Sequence, residues 1–258
     1  LRCFTAIYAQ SNRDRHRLLS AGAAPATIEV TGSFKFDVAL RQPEKERELA
    51  NFLTAYDFPP NATTLLGGST WPGEERALLN LYRRLRPDFP TLRLIIVPRH
   101  FEKAEAVAAA ITEAGFTPLR KSQLSPPYTP QKHAGQSVLL ADTTGELMGF
   151  YAHAQIVFVG KSLCAHGAQN MIEPCLCGAA TIVGPYTENF RPVMAELLAA
   201  NAIIQVQSAT ELQQTVTHLL HHPTERRALG TRATAAVQHR KGVVTRCATA
   251  LINHLNLK

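Results

Sequence analysis

Four short stretches of the chain carry residue types that can hold an anion or a sugar. The first is Gly167-Ala168-Gln169-Asn170-Met171-Ile172-Glu173-Pro174. Asn170 and Glu173 stand three apart, the spacing of a capping box at a helix start. Pro174 also fits a first helical position, which would make Glu173 the cap and turn its carboxylate toward a ligand's hydroxyls. The second is Gly67-Gly68-Ser69-Thr70, followed by Pro72. A glycine turn entering a helix can bring backbone N–H groups to a phosphate, and Ser69 or Thr70 can equally serve as a simple cap. The third is Arg99, at the end of the apolar run 92–97. A guanidinium there can grip a phosphate or a base carbonyl, or pair with a neighbouring loop. The fourth is Thr143-Thr144-Gly145-Glu146-Leu147, where Thr143 and Glu146 again have capping-box spacing.

All four fall where an apolar run gives way to helical periodicity. Runs 63–66, 92–97, 138–140, 155–159, 180–183 and 203–206 read as strands. Residues 43–56, 72–85, 101–113, 171–177, 188–200, 210–222, 225–239 and 243–255 read as helices, with Leu78, Leu79, Tyr82 and Leu85 near one face of the second. Ahead of these come a strand end at 6–10, a helix at 12–20 with Ser11 as N-cap and Gly22 as stop, and a strand at 28–31. Residues 121–135, rich in Pro, Ser, Gln and Lys, read as a surface loop. The alternation predicts a doubly wound parallel α/β sheet, Rossmann-like, whose ligands bind at the carboxyl edge. No Gly-x-Gly-x-x-Gly follows the first strand, which argues against an ordinary dinucleotide dehydrogenase.

The chain has 258 residues, 45% of them hydrophobic, enough for a buried core. It begins with Leu1, has no secretory signal and no apolar run long enough to span a bilayer. The five cysteines are odd in number, and Cys175-x-Cys177 has no second pair at zinc spacing, so reduced, buried thiols are expected rather than a metal site or a disulfide. Such thiols suit the cytosol. A net charge of +7 favours an anionic partner without naming its kind. Arg83, Arg84 and Arg86 form a basic cluster at a helix end, and His221-His222 read as an exposed helix end rather than a metal site.

The same stretches resemble the bacterial 3-deoxy-D-manno-octulosonic acid (Kdo) transferases. Residues 167–174 are similar to the signature Gly-Gly-His-Asn-Pro-Leu-Glu-Pro, matching it at Asn170, Glu173 and Pro174 and departing at Ala168, Gln169 and Met171. Residues 68–75, Gly-Ser-Thr-Trp-Pro-Gly-Glu-Glu, resemble Gly-Ser-Thr-His-x-Gly-Glu-Glu, with Trp71 in place of the His. Pro98-Arg99-His100 matches the start of Pro-Arg-His-x-x-Arg, where Lys103 replaces the last Arg. The run Asp142 to Met148 resembles Asp-Thr-Met-Gly-Glu-Leu, and residues 184–190 resemble Gly-Pro-His-Thr-x-Asn-Phe with Tyr186 replacing the His. Residues 31–37 resemble Thr-Gly-Asn-Leu-Lys-Phe-Asp, with Ser33 and Phe34 as the departures.

The resemblance covers nearly the whole chain and implies one half of a two-domain GT-B glycosyltransferase. Residues 1–37 would be the tail of a truncated amino-terminal acceptor domain with its linker, and 38–258 the carboxy-terminal donor domain. The implied reaction moves Kdo from CMP-Kdo to a lipid A precursor in lipopolysaccharide biosynthesis, at the cytoplasmic face of the inner membrane. It inverts the anomeric centre and uses no metal and no cofactor. By motif, Arg99, Gly145, Glu146 and Leu147 would hold the nucleotide, Glu173 the ribose hydroxyls, and Asn170 with Ser69 and Thr70 phosphate or sugar. The catalytic base is expected upstream of Leu1, so this chain alone is expected to be inactive. The partners implied are CMP-Kdo, the lipid A precursor and, for the full-length protein, a membrane surface, with no nucleic acid. Two alternatives remain, a GT-B transferase using a UDP-sugar and a noncatalytic basic domain that binds nucleic acid.

Overall fold

A computed structural model describes residues 1–37, 43–59, 61–124, 128 and 136–255. In chain order its elements are β1 (Ile7–Ala9), α1 (Asn12–Ser20), β2 (Ile28–Val30), α2 (Pro43–Ala55), β3 (Thr63–Thr70), α3 (Glu74–Leu85), β4 (Leu92–Pro98), α4 (Ala104–Glu113), β5 (Thr117–Arg120) and β6 (Ser137–Leu140). They continue with α5 (Leu147–His153), β7 (Ile156–Val159), α6 (Ile172–Leu176), β8 (Ala180–Val183), α7 (Arg191–Ala199), β9 (Ile204–Gln205), α8 (Ala209–His221), α9 (Pro223–His239) and α10 (Val243–His254). The chain divides into two compact units, Leu1–Leu40 with Val237–Lys258, and Arg41–Ala236.

In the larger unit seven strands form one parallel sheet in the order β5-β6-β4-β3-β7-β8-β9. β3 lies at its centre. The next three strands build one side, and β7, β8 and β9 then build the other. The reversal puts the sheet's switch point between the carboxyl ends of β3 and β7, the crevice where such sheets bind ligands. Leu65, Leu66, Leu94, Ile96, Leu140, Phe158 and Ile182 are fully buried, as expected of strands covered on both faces. Leu78, Leu79, Tyr82 and Leu85 of α3 join them in the core. The doubly wound sheet read from the strand and helix alternation is therefore the fold the chain adopts.

Three local expectations are corrected. Gly67 and Gly68 do not form a turn; β3 runs through them to Thr70, with an irregularity in its pairing between Gly68 and Thr70. The glycines are demanded by packing, because a Cβ on Gly67 would overlap Leu78 and one on Gly68 would overlap Tyr151. Thr143 and Glu146 do not close a capping box. The helix starts at Leu147, Glu146 is its N-cap without a side-chain cap bond, and the Thr143 hydroxyl donates to the Glu146 carboxylate instead. Nor is Pro174 the first residue of its helix. α6 begins at Ile172 with Met171 as N-cap. β5 has no counterpart in the sequence reading. It is an edge strand of four residues containing Pro118, where a missing ladder donor is tolerated. The expected surface loop is described only at 121–124 and 128; the rest of it lies outside the described residues.

In the smaller unit β1 and β2 pair in parallel, and α1 starts at the expected cap, with Ser11 Oγ accepting from Asp14 N at 3.1 Å. Ala9, Ala23 and Ile28 form its small core. Asp37, the last residue of the family-like run 31–37, accepts from the N–H groups of Gly242 and Val244, each at 2.6 Å, and so holds the start of α10.

Candidate functional site

The carboxyl ends of β3 and β7 touch at Gly160. Its N–H donates to Gly68 O at 2.8 Å, and a Cβ there would overlap Ser69 O and stand 2.6 Å from Thr70 Cα. Only glycine permits this approach. The chain then turns with Lys161 in the left-handed region, at φ 57. Ser69, across the crevice, is also left-handed at φ 51.

One carboxylate organises the loop. Glu74 is fully buried, and its oxygens accept from Trp71 N (2.9 Å), Lys161 N (2.8 Å), Ser162 N (2.9 Å) and Leu163 N (2.9 Å). Four N–H groups on one carboxylate meet the hydrogen-bonding demand of a buried charge. The hydroxyl of Ser162 donates to Val159 O at 2.5 Å and accepts from Gly184 N at 2.8 Å, tying this loop to the end of β8. Trp71 packs edge-on against His100 at 5.4 Å, and Lys161 Nζ lies 4.7 Å from the centroid of the Trp71 ring.

Beyond this turn the backbone stays tightly specified. Ala168 N donates to Lys161 O at 2.7 Å, and Gln169 N to Gly160 O at 3.0 Å. Ala168 is left-handed at φ 59, and Gly167, at φ 113, has Asn189 where a Cβ would point. Asn170 then enters α6. Its Oδ1 accepts from Ile172 N at 3.1 Å, and its Nδ2 donates to Glu173 Oε1 at 3.0 Å. Burial pushes the Glu173 carboxyl up from its ordinary pKa, and the Asn170 bond works against that rise. α6 is five residues long and one of its N–H groups is already taken by Asn170, so its start has little left to offer an anion. Tyr151 of α5 is buried beside Gly68, and its phenol is held un-ionised by burial and then by the negative field of Glu173 and its neighbours.

Arg99 follows β4. Its N–H donates to Thr70 O at 3.1 Å, while its side chain is exposed and makes no ion pair or hydrogen bond among the described residues. Gly145, Glu146 and Leu147 lie after β6, separated from β3 by β4. Gly145 is left-handed at φ 81. Glu146 pairs with Lys121 at 2.8 Å as well as with Thr143. Gly145 and Glu146 line a cleft of about 370 Å³ with Lys45, Glu48, Phe52 and Lys121. Behind them Asp142 accepts from Ser122 N (2.8 Å), Ser122 Oγ (2.7 Å) and Arg120 Nε (2.9 Å). Burial opposes its ionisation, but these bonds outweigh it and its pKa falls below the usual value.

The structure thus sets all eight residues singled out in the sequence on the carboxyl edge. Ser69, Thr70, Arg99, Asn170 and Glu173 stand around the ends of β4, β3 and β7. Gly145, Glu146 and Leu147 lie farther along, after β6. Between the β6 and β7 ends are three strand spacings, about 14 Å. Lys161 and Ser162 lie in the glycine-bearing stretch after the strand read at 155–159, and Glu74 inside a family-like run, but none of the three takes a role from the sequence alone; Tyr151 carries no local signal. Of the cysteines, Cys175 and Cys247 are buried as expected, whereas Cys3 and Cys164 are exposed. Among the described residues no group of three or more His, Cys, Asp or Glu is placed to hold a metal ion, and no helix is long and apolar enough to cross a membrane.

A doubly wound parallel sheet with its glycine-bearing turns gathered at the switch point defines one half of a GT-B glycosyltransferase fold. Within that class the chain is similar, in sequence and in fold, to the carboxy-terminal half of the bacterial Kdo transferases, as its motifs indicated. It is 34% identical over 248 residues to 3-deoxy-D-manno-octulosonic acid transferase of Bordetella pertussis, covering 95% of this chain and 55% of that protein. It is 29% identical over 241 residues to the transferase of the same name from Haemophilus influenzae, covering 93% of this chain and 55% of that protein. The chain therefore spans about half the length of these curated relatives. The C-terminal CMP-Kdo binding domain of WaaA from Acinetobacter baumannii superposes with a TM-score of 0.68 and 28% identity, covering 76% of this chain and 100% of that domain. Anabaena HepE in complex with UDP shares the fold at 15% identity and a TM-score of 0.57, covering 96% of this chain and 64% of HepE. No protein-family model matches the chain.

Proposed function

We propose that the chain is the donor-binding part of an enzyme that transfers Kdo from CMP-Kdo to a lipid A precursor. The observation that carries this reading is the match to the A. baumannii CMP-Kdo binding domain along that domain's whole length. In this reading residues 38–258 are the donor domain, residues 1–37 belong to the acceptor side, and the enzyme works at the cytoplasmic face of the inner membrane. Transfer is inverting and metal-free. CMP is a stable leaving group, so the site's task is to orient the donor and neutralise the departing phosphate.

The roles divide by what each group has left to give. Arg99 offers a whole guanidinium to the phosphate or base. Glu146 is engaged by Lys121 and Thr143, so the run from Gly145 to Leu147 serves the nucleotide through its backbone. Asn170 holds Glu173 for the ribose hydroxyls and keeps one N–H for the ligand. Ser69 and Thr70 are assigned by motif to phosphate or sugar, although the Thr70 hydroxyl is buried. Calorimetric titration with CMP, beside UMP, UDP and cytidine, tests the reading. CMP is expected to bind best, and no binding of any cytidine nucleotide at millimolar concentration sinks the donor site. This chain alone, given CMP-Kdo and the lipid A precursor, is expected to show no turnover.

A further inference from the structure

The loop after β7 is where backbone N–H groups of this sheet would most readily cradle an anion, because it turns sharply at the switch point. In this chain those donors are spent. The N–H groups of Lys161, Ser162 and Leu163 all point to the buried Glu74 carboxylate. A phosphate brought to them would meet that carboxylate as well.

What the loop still offers is the side chain of Lys161. Its backbone is left-handed, a costly conformation for a long side chain, and it is fixed there by Glu74 on its N–H and Ala168 on its carbonyl. Its ammonium sits 4.7 Å from the centre of the Trp71 ring, and the residue is half-buried. It makes no ion pair and no hydrogen bond through its side chain among the described residues. Trp71 is itself held, by Glu74 on its backbone N–H and by His100 against its ring. The indole face steers the ammonium, and a ring face neutralises a cation far less than a carboxylate does. An ammonium with no ion pair among the described residues thus sits on the Trp71 ring, one residue past the point where Gly160 meets Ser69 and Thr70 at the ligand-binding edge.

We infer that Lys161, seated on Trp71, is an anion-binding residue of the donor site and takes negative charge on the bound sugar nucleotide. The inference rests on the donor-site reading above. Two groups of CMP-Kdo carry that charge, the phosphate and the carboxylate of the sugar acid. Titration of the chain and of Lys161→Met with cytidine, CMP and CMP-Kdo separates them. Met keeps the contact with the indole and removes the charge. Loss of a charge-assisted contact is expected to weaken CMP-Kdo binding by about tenfold or more. An equal loss for CMP assigns Lys161 to the phosphate, and an unchanged CMP affinity assigns it to the carboxylate. Cytidine binding stays the same in either case. Lys161→Gly suits the left-handed backbone, so it should be at least as heat-stable as the parent and show the same loss, which separates lost charge from lost folding. CMP and CMP-Kdo affinities within twofold of the parent in both variants overturn the role of Lys161 alone. A parent chain that binds neither CMP nor CMP-Kdo overturns the donor site and Lys161 together.

Discussion

The carboxamide of Asn170 donates to Glu173 Oε1 at 3.0 Å while its own oxygen takes the N–H of Ile172. One side chain therefore closes the turn into α6 and holds the carboxylate. Burial raises the Glu173 pKa above its ordinary 4.5, against the pull of Asn170. Below that value both folded and unfolded chains are protonated and the group has no effect. As pH rises past 4.5 the unfolded chain ionises first, so stability is lost up to the folded pKa and the deficit persists at neutral pH. Glu173→Gln can still accept from Asn170. It should be as stable as the parent at pH 7 or more so, with a flatter pH dependence just above 4.5. If the carboxylate holds ribose hydroxyls, CMP affinity falls by about 1–3 kcal/mol. Denaturation at pH 4 and pH 7, beside CMP titration, checks both. Lower stability with unchanged affinity returns Glu173 to a structural role in the turn.

Glu74→Gln tests the carboxylate beneath the loop. Four N–H groups share two oxygens, and the amide replaces one oxygen with a further donor. Each buried N–H left unpaired costs about 1–3 kcal/mol, so a total loss of about 2–5 kcal/mol is expected in urea denaturation. A loss under about 1 kcal/mol would mean that the loop rearranges to recover its bonds.

Gly68 and Tyr151 form a matched pair. A Cβ on Gly68 stands 2.6 Å from one ring carbon of Tyr151 and 2.8 Å from another, besides overlapping its hydroxyl. Gly68→Ala should therefore cost about 1–3 kcal/mol by overpacking. Because ring carbons as well as the hydroxyl obstruct it, Tyr151→Phe should rescue it only in part, and Tyr151→Leu more fully. Simple additivity of the two changes in a double-mutant cycle would contradict the contact.

Asp142 sets an acid limit. Its folded pKa lies below the ordinary 3.8, so its contribution is complete above that value and is lost as pH falls through the lower folded pKa. Asp142→Asn keeps one acceptor for Ser122 but loses the charge facing Arg120. A loss of about 1–3 kcal/mol at pH 7 is expected, shrinking as pH falls below the ordinary 3.8 and through the lowered folded pKa. A constant difference from pH 7 to pH 2 would show that shape, not charge, matters here.

Much of this architecture was legible because its causes are local. Ser11 capping residues 12–20 and the apolar run 180–183 are set by neighbours in sequence, and both formed as read. Gly67 and Gly68 misled because their reason is distant. They read as a turn, yet Leu78 and Tyr151 press on a strand that has no room for side chains. β5 was hidden by its brevity and by Pro118, which only its place at the sheet edge excuses. The site divides the same way. Asn170 and Glu173 could be paired from their spacing, although their helix starts at a different residue from either reading. The bonds from Glu74 to the loop join residues 87 to 89 positions apart, and no local pattern announces such a link. Lys161 mattered only once the turn had brought its ammonium onto Trp71.

Arg99 offers the sharpest separation of binding from folding. Its backbone N–H is committed to Thr70 O at 3.1 Å, so the chain's path past β4 does not depend on the side chain. The guanidinium is exposed and has no ion-pair partner among the described residues. Arg99→Ala should therefore leave stability within about 0.5 kcal/mol of the parent. If the guanidinium grips the phosphate, removing a charge-assisted bond of about 1.5–3 kcal/mol weakens CMP binding by roughly ten- to hundredfold. Cytidine, which has no phosphate, would bind both proteins alike. Arg99→Lys keeps the charge but not the planar fork, so its affinity should fall between the two. The parent's CMP affinity should also drop more steeply with added salt than that of Arg99→Ala, because one screened attraction is gone from the variant. A parallel fall for cytidine and CMP moves Arg99 from the phosphate to the base carbonyl. CMP affinity within twofold of the parent, at low salt and with stability unchanged, removes Arg99 from the donor site.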